Sequence, residues 1–300
     1  GKILFSGLGR MGLGMIRNLH RKSSHKIFGF DINPSSLSTL QSEQIPTFSD
    51  LSKEDLKDLV AVVTMLPQAK HVESFYDSEV GRGVLEGVGK GTLLIDCSTV
   101  GPIEAARLHS KFGEAGMEYV DAPVSGGTLG ANNGTLTFMV GAKDPQIFER
   151  TKEVLGPMGL NFFDFKKPAM GQVAKICNNL VLGIQMCGVS EAMALGEQFG
   201  VDLKILSEAM SKSTAGCWAV SANNPAPGVL PTSASSRNYE GGFAVSLMEK
   251  DLDLALKVSQ TKGLDLTLGK SAHSKYRPLI GTESENKDFG IVINSYKPKK

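Results

Sequence analysis

The stretch Gly7-Leu8-Gly9-Arg10-Met11-Gly12 follows an apolar run, Ile3 to Ser6, and opens a segment in which Ile16 and Leu19 repeat at helical spacing. Strand, glycine turn and helix in that order are what a GxGxxG motif needs before it can be read as a dinucleotide loop. Gly7 permits the tight turn, Gly9 lets the backbone approach a pyrophosphate, and Gly12 permits close packing of helix on strand, with the helix N-terminus facing the anion. Leu8, Arg10 and Met11 complete the expected cofactor-binding loop. About 20 residues on, Asp31 ends the second apolar run, where an acidic side chain accepts hydrogen bonds from both hydroxyls of the adenosine ribose. Its charge would repel a 2′-phosphate, and Ile32, Asn33 and Pro34 offer no arginine to hold one, so NAD is expected rather than NADP. A bare GxGxxG is also compatible with a structural turn, and Asp31 could in addition cap the helix after Pro34.

Working outward, β-rich runs recur at Ile27 to Asp31, Val60 to Leu66, Thr92 to Asp96, Tyr119 to Ala122 and Leu136 to Val140. Segments such as Pro102 to Gly113 and Asp144 to Leu155 carry apolar residues at helical spacing between them. Alternating strands and helices predict a doubly wound, Rossmann-type α/β sheet, with Asn161 to Phe165 as a short edge strand. From Gly171 to Phe199 helical composition continues for about 29 residues, or roughly 40 Å, with almost no turn signals. That helix is expected to bridge two domains. Beyond it, Asp202 to Ser213, Ala244 to Lys262, Leu266 to Tyr276 and Asn286 to Tyr296 all read as helices. The expectation is therefore a dinucleotide-binding domain over 1–165 and an all-α C-terminal domain over 166–300. Asn223 to Gly242, rich in Pro, Gly, Ser and Asn, is too long for an idle loop and should be functional or clamped.

The 300 residues, 41% of them hydrophobic, can supply a core for each domain, and a net charge of +1 points to neither nucleic acid nor an anionic membrane surface as partner. A small molecule is the expected ligand. Cys97, Cys177, Cys187 and Cys217 form no close CxxC pair, which favours reduced thiols over disulfides or a metal site. The low-charge stretch from Ile176 to Ser190 contains Asn178, Asn179 and Gln185 and reads as a buried helix rather than a membrane span. The chain enters a strand within its first residues, so a targeting peptide is not among the residues read.

Two segments carry the chemistry. In Gly171-Gln172-Val173-Ala174-Lys175-Ile176-Cys177-Asn178-Asn179, Lys175 is the only charge between Lys167 and Glu191, and Asn179 lies four residues on, on the same helical face. Burial would lower the pKa of that amine toward neutrality and suit it to accept a proton from an alcohol. From spacing alone, a surface lysine snorkelling at the start of a buried helix is the favoured reading. In Asp121-Ala122-Pro123-Val124-Ser125-Gly126-Gly127, a strand ends in a glycine-rich loop whose N–H groups, with the Ser125 hydroxyl, could hold a carboxylate. A plain strand-to-loop turn is the alternative.

These motifs, with Thr64-Met65-Leu66-Pro67, Asp96-Cys97-Ser98-Thr99 and Leu247-Met248-Glu249-Lys250-Asp251-Leu252, fall in the order seen in β-hydroxyacid dehydrogenases, which the chain resembles over nearly its whole length. Cys217-Trp218, Asn224-Pro225-Ala226-Pro227-Gly228 and Asn238-Tyr239-Glu240-Gly241-Gly242-Phe243 resemble the 3-hydroxyisobutyrate branch. The resemblance implies that Lys175 is the general acid/base, that Asn179 orients the substrate, and that Ser125, Gly126 and Gly127 hold its carboxylate. Leu66, Pro67 and Thr99 match cofactor-contacting positions, as does Lys250, which would reach the cofactor from the helical domain. Trp218 and Asp251 match substrate-side positions. The implied reaction is NAD-dependent oxidation of 3-hydroxyisobutyrate to methylmalonate semialdehyde, a step of valine degradation. The implied assembly is a homodimer or homotetramer, and the implied eukaryotic compartment is the mitochondrial matrix. Two departures stand out: His71 where relatives often carry asparagine, and Ala169 in place of a glycine. Alternatives are a reductase of glyoxylate, succinic semialdehyde or tartronate semialdehyde, and a non-catalytic scaffold that keeps the fold.

Overall fold

A computed structural model describes residues 1–50 and 52–297. By internal contacts the chain divides into two units, Gly1–Lys175 and Ile176–Lys300.

The first unit is built on a five-stranded parallel sheet of order β2-β1-β3-β4-β5, from β1 (Lys2–Ser6), β2 (Lys26–Phe30), β3 (Leu59–Thr64), β4 (Leu93–Asp96) and β5 (Glu118–Asp121). The crossovers carry α1 (Arg10–Lys22), α2 (Pro34–Ser42), α3 (Lys53–Lys57), α4 (Ala69–Asp77), α5 (Glu79–Gly87) and α6 (Pro102–Glu114). Strands covered on both faces must be apolar throughout, and β3 and β4, Leu-Val-Ala-Val-Val-Thr and Leu-Leu-Ile-Asp, are written that way. Along α1, Met15, Ile16 and Leu19 are fully buried, each contributing about 1.5–3 kcal/mol of apolar burial.

A second sheet of three strands follows: β6 (Val124–Ser125) antiparallel to β7 (Leu136–Val140), which runs parallel to β8 (Gly159–Asp164). Between them lie α7 (Gly127–Asn133) and α8 (Pro145–Leu155). The two-residue β6 is absent from the sequence reading because so short a run carries no periodicity.

The helix α9 (Met170–Gln198) has 29 residues, as the unbroken helical composition predicts. It is long and apolar enough to cross a bilayer by length and composition. In this fold its Met186, Cys187, Val189 and Met193 enter the core of the second unit. That unit continues with α10 (Leu203–Lys212), α11 (Trp218–Ser221), α12 (Val245–Gln260) and α13 (Thr267–Tyr276), and no strand among its described residues.

The segment 223–242 is clamped. Asn223 donates to Asp288 Oδ1 at 3.0 Å and accepts from the Ala234 N–H at 3.0 Å, Ser235 donates to the Asn224 carbonyl at 2.7 Å, and Tyr239 OH donates to the Pro225 carbonyl at 2.9 Å. The helix expected over Asn286 to Tyr296 is instead a 3-10 helix over Phe289–Tyr296. Asp288 sets its start by accepting from the Gly290 and Phe243 N–H groups, at 2.9 Å each.

Candidate active site

Because the five strands run parallel, their carboxyl ends share one edge of the sheet. At that edge lie Gly7 to Gly12 after β1, Asp31 after β2, Leu66 and Pro67 after β3, and Thr99 after β4. Gly7 has φ +99, and a Cβ there would fall 2.3 Å from the Met65 carbonyl oxygen; a Cβ on Gly12 would fall 1.8 Å from that of Gly7. Packing alone therefore demands those two glycines. A Cβ on Gly9 would meet nothing within 4 Å, so no protein atom requires a glycine there. Gly9 is the N-cap of α1, no side chain caps the helix, and its first turn holds no acidic residue. An open approach to an uncapped helix N-terminus fits a pyrophosphate.

Asp31 is already engaged with its own chain. Its Oδ2 accepts from the Leu8 N–H at 2.6 Å and its Oδ1 from the Asn33 N–H at 2.8 Å, so it fastens the glycine loop to the end of β2. Each oxygen keeps a second lone pair for a ribose hydroxyl. The loops after β3 and β4 are joined through Ser98, whose Oγ accepts from the Leu66 N–H at 2.8 Å. Beneath them Asp96 is fully buried and accepts from Thr64, Tyr119 and the Ser98 N–H. Burial pushes its carboxyl above the usual range, against those hydrogen bonds, which pull it down. His71, on α4, has a buried Nδ1 with no hydrogen-bond partner among the described residues.

Lys175 is 7% exposed, in the second turn of α9. The first turn is fastened to the same sheet edge. Gln172, fully buried, donates from Nε2 to the Ser98 carbonyl at 2.8 Å and accepts at Oε1 from the Val100 and Gly101 N–H groups at 3.1 Å each. Those bonds flank Thr99. Asp121, at the end of β5, accepts from the Ala169 N–H at 2.8 Å and the Gln172 N–H at 3.0 Å. Ala169 takes φ +66, a left-handed conformation in which glycine is the unstrained residue.

Ser125 ends β6, and Gly126 and Gly127 continue at φ +133 and +62, values that side chains rarely adopt. They lead into α7, whose end is held on α1 by the Asn18 amide, donating at 2.8 Å to the carbonyls of both Ala131 and Asn132. The loop at Ser125 to Gly127 and the helix after the glycine motif thus share one support.

In the second unit Asn179 is buried and donates to Asp251 Oδ2 at 2.5 Å, while Lys250 Nζ lies 3.3 Å from Asp251 Oδ1. These three form one cluster. Trp218 is 49% exposed, with its ring stacked on Phe289 at 6.3 Å between centroids. Asp121 and Gln172 lie inside quoted motifs, yet their anchoring escaped the sequence reading because their partners are 48 to 74 residues away.

Two family descriptions match the chain: "NAD binding domain of 6-phosphogluconate dehydrogenase" over residues 2–166 and "NAD-binding of NADP-dependent 3-hydroxyisobutyrate dehydrogenase" over 169–296. A Pseudomonas aeruginosa protein named NAD-dependent L-serine dehydrogenase is 39% identical, over 99% of this chain and 98% of its own. A Dictyostelium discoideum protein named probable mitochondrial 3-hydroxyisobutyrate dehydrogenase is 43% identical, over 97% of this chain and 89% of its own. The solved structure of Mycobacterium tuberculosis 3-hydroxyisobutyrate dehydrogenase with L-serine superposes with a TM-score of 0.88 at 35% identity, covering 99% of both chains. With a glycine loop on a parallel sheet edge in the first unit and an all-helical second unit, the chain belongs to the β-hydroxyacid dehydrogenases, NAD(P)-dependent oxidoreductases acting on a CH–OH group.

Proposed function

We propose that the protein oxidises 3-hydroxyisobutyrate to methylmalonate semialdehyde with NAD, in valine degradation, using Lys175 as general base. The observation that supports this reading most is the burial of the Lys175 amine one turn beyond Gln172, whose bonds to Ser98, Val100 and Gly101 bracket Thr99. When bound, the dinucleotide would supply the acceptor for the hydride of the carbinol carbon. Lys175 takes the hydroxyl proton, from a position shielded from bulk water. The N–H groups of Ser125, Gly126 and Gly127, with the Ser125 hydroxyl, hold the substrate carboxylate. Asn179, oriented by Asp251, positions the substrate, and Trp218 flanks it. Gly7 to Gly12, Asp31, Leu66, Pro67, Thr99 and Lys250 hold the cofactor, and the Asp31 charge favours NAD over NADP.

L-serine is a second reading, favoured by the Pseudomonas aeruginosa relative named for that substrate. It shares the carboxylate and hydroxymethyl group and differs by an ammonium where 3-hydroxyisobutyrate carries a methyl. Formation of NADH with each acid, and with the unmethylated and hydroxymethyl analogues, tests both. The proposal expects the highest kcat/KM with 3-hydroxyisobutyrate and NAD; a higher value with L-serine would move the assignment to serine. We also propose a homodimer or homotetramer, supported by Val181, Leu195, Phe199 and Ile205, all exposed on the second unit. The mitochondrial matrix is the compartment we propose, by likeness to relatives named as mitochondrial.

A further inference from the structure

We propose that Asp121 is a positioning residue of the dehydrogenase reaction, acting through Lys175 by fixing the first turn of the helix that carries it; this rests on the reading of Lys175 as general base. A helix N-terminus leaves backbone N–H groups unpaired and favours a nearby negative charge. The first turn of α9 holds no acidic residue of its own. The anion comes instead from the end of β5: Asp121 is fully buried, with Oδ1 accepting from Ala169 N–H and Oδ2 from Gln172 N–H. His109 on α6 closes the arrangement, its Nε2 lying 2.8 Å from Oδ1.

The surroundings are cut to this carboxylate. A Cβ on Gly141 would lie 2.3 Å from Asp121 Oδ1, and one on Gly171 would lie 2.8 Å from Oδ2 and 2.2 Å from the Met139 carbonyl. Two glycines therefore give the side chain its space. Ala169 holds its left-handed backbone while donating to the same carboxylate, so the turn leading into α9 is bent around Asp121. Lys175 follows Gln172 by three residues, within a single helical turn. Any tilt of that turn is passed to the amine with little room for the side chain to compensate, because Lys175 is buried.

Asp121→Asn is the direct test. Either orientation of the amide sets its NH2 against the Ala169 or the Gln172 N–H, so the turn shifts with almost no change in volume. A displacement of that kind is expected to lower kcat about ten- to a hundredfold while KM for the hydroxyacid and Kd for NAD stay within about twofold. Damage to the fold would produce the same loss, so the substitution is repeated in Lys175→Ala, assayed with methylamine as a diffusible base. A free amine is not carried by α9, and there Asp121→Asn should change the rate by less than about twofold, a strongly non-additive cycle. An unchanged kcat in the otherwise native enzyme, or equal loss in both backgrounds, would overturn the proposal. If Asp121→Asn does not fold, His109→Phe decides by the same comparison. It keeps the ring that packs edge-on against Tyr119 and removes the donor to Asp121. A several-fold fall in kcat confined to the Lys175 background supports the proposal, and no fall overturns it. Full turnover by Lys175→Ala alone would instead refute the general-base reading and this inference with it.

Discussion

At the scale of single residues, the three glycines of the cofactor loop are not equivalent. Gly7 and Gly12 answer to the Met65 and Gly7 carbonyls, whereas Gly9 faces open space. Gly12→Ala should therefore disturb packing of α1 on β1 and lower thermal stability as well as NAD binding, while Gly9→Ala should weaken NAD binding with melting temperature nearly unchanged. Calorimetry and NAD titration on both variants check this, and equal loss of stability in the two would contradict it. Asp31 holds the Leu8 N–H, and in the proposed function it also binds the adenosine ribose. Asp31→Ser removes the charge that opposes a 2′-phosphate and should raise the ratio of NADP to NAD activity, measured as kcat/KM with each. The strand, glycine turn and helix were legible in the sequence because their geometry is local, whereas the bond from the Leu8 N–H to Asp31, 23 residues on, was not. Lys175 was legible only in part: spacing alone favours a snorkelling surface amine, and only family likeness points to a base.

At the scale of elements, legibility followed length and periodicity. The run 171–199 reads as one helix and is one within a residue at each end, since no Gly-Pro punctuation breaks it. The last segment reads the same way and is not an α-helix. Over eight residues an apolar repeat cannot separate three residues per turn from 3.6, and the Asp288 carboxylate, reached from Phe243 and Asn223, imposes the tighter form. Asp288→Ala leaves the Asn223 amide and the Phe243 and Gly290 N–H groups without this acceptor. A cost of about 2 kcal/mol is expected, near the middle of the range for unsatisfied buried donors, because burial already disfavours the lost charge. Urea unfolding measures it, and a loss within error of zero would show that the clamp does not hold the segment.

For the molecule as a whole, net charge and composition named no partner. The division of labour was foreseeable, with an α/β unit for the dinucleotide followed in sequence by a helical unit. The anchoring of α9 was not, because hydrogen bonds spanning 48 to 74 residues leave no local trace. Several buried tyrosines give the fold an alkaline limit. Burial raises Tyr76, Tyr119 and Tyr276 well above the ordinary value and pushes Tyr239 up to about 12. In the unfolded chain each loses its proton near pH 10. Their contribution is therefore complete below about pH 10 and is lost as pH rises through the folded values, so melting temperature should fall steeply above that point. A flat profile to pH 11 would contradict the burial of these phenols. Sedimentation at dilute concentration checks the assembly: a dimer or tetramer is expected, and a stable monomer would leave the exposed apolar side chains of α9 and α10 unexplained.

The most direct test of the central claim is the rate of NADH formation by Lys175→Ala, measured under saturating NAD and 3-hydroxyisobutyrate beside the unaltered enzyme. With Lys175 as general base, kcat falls about a hundredfold or more while NAD still binds with its original affinity. Turnover close to that of the unaltered protein would contradict the account.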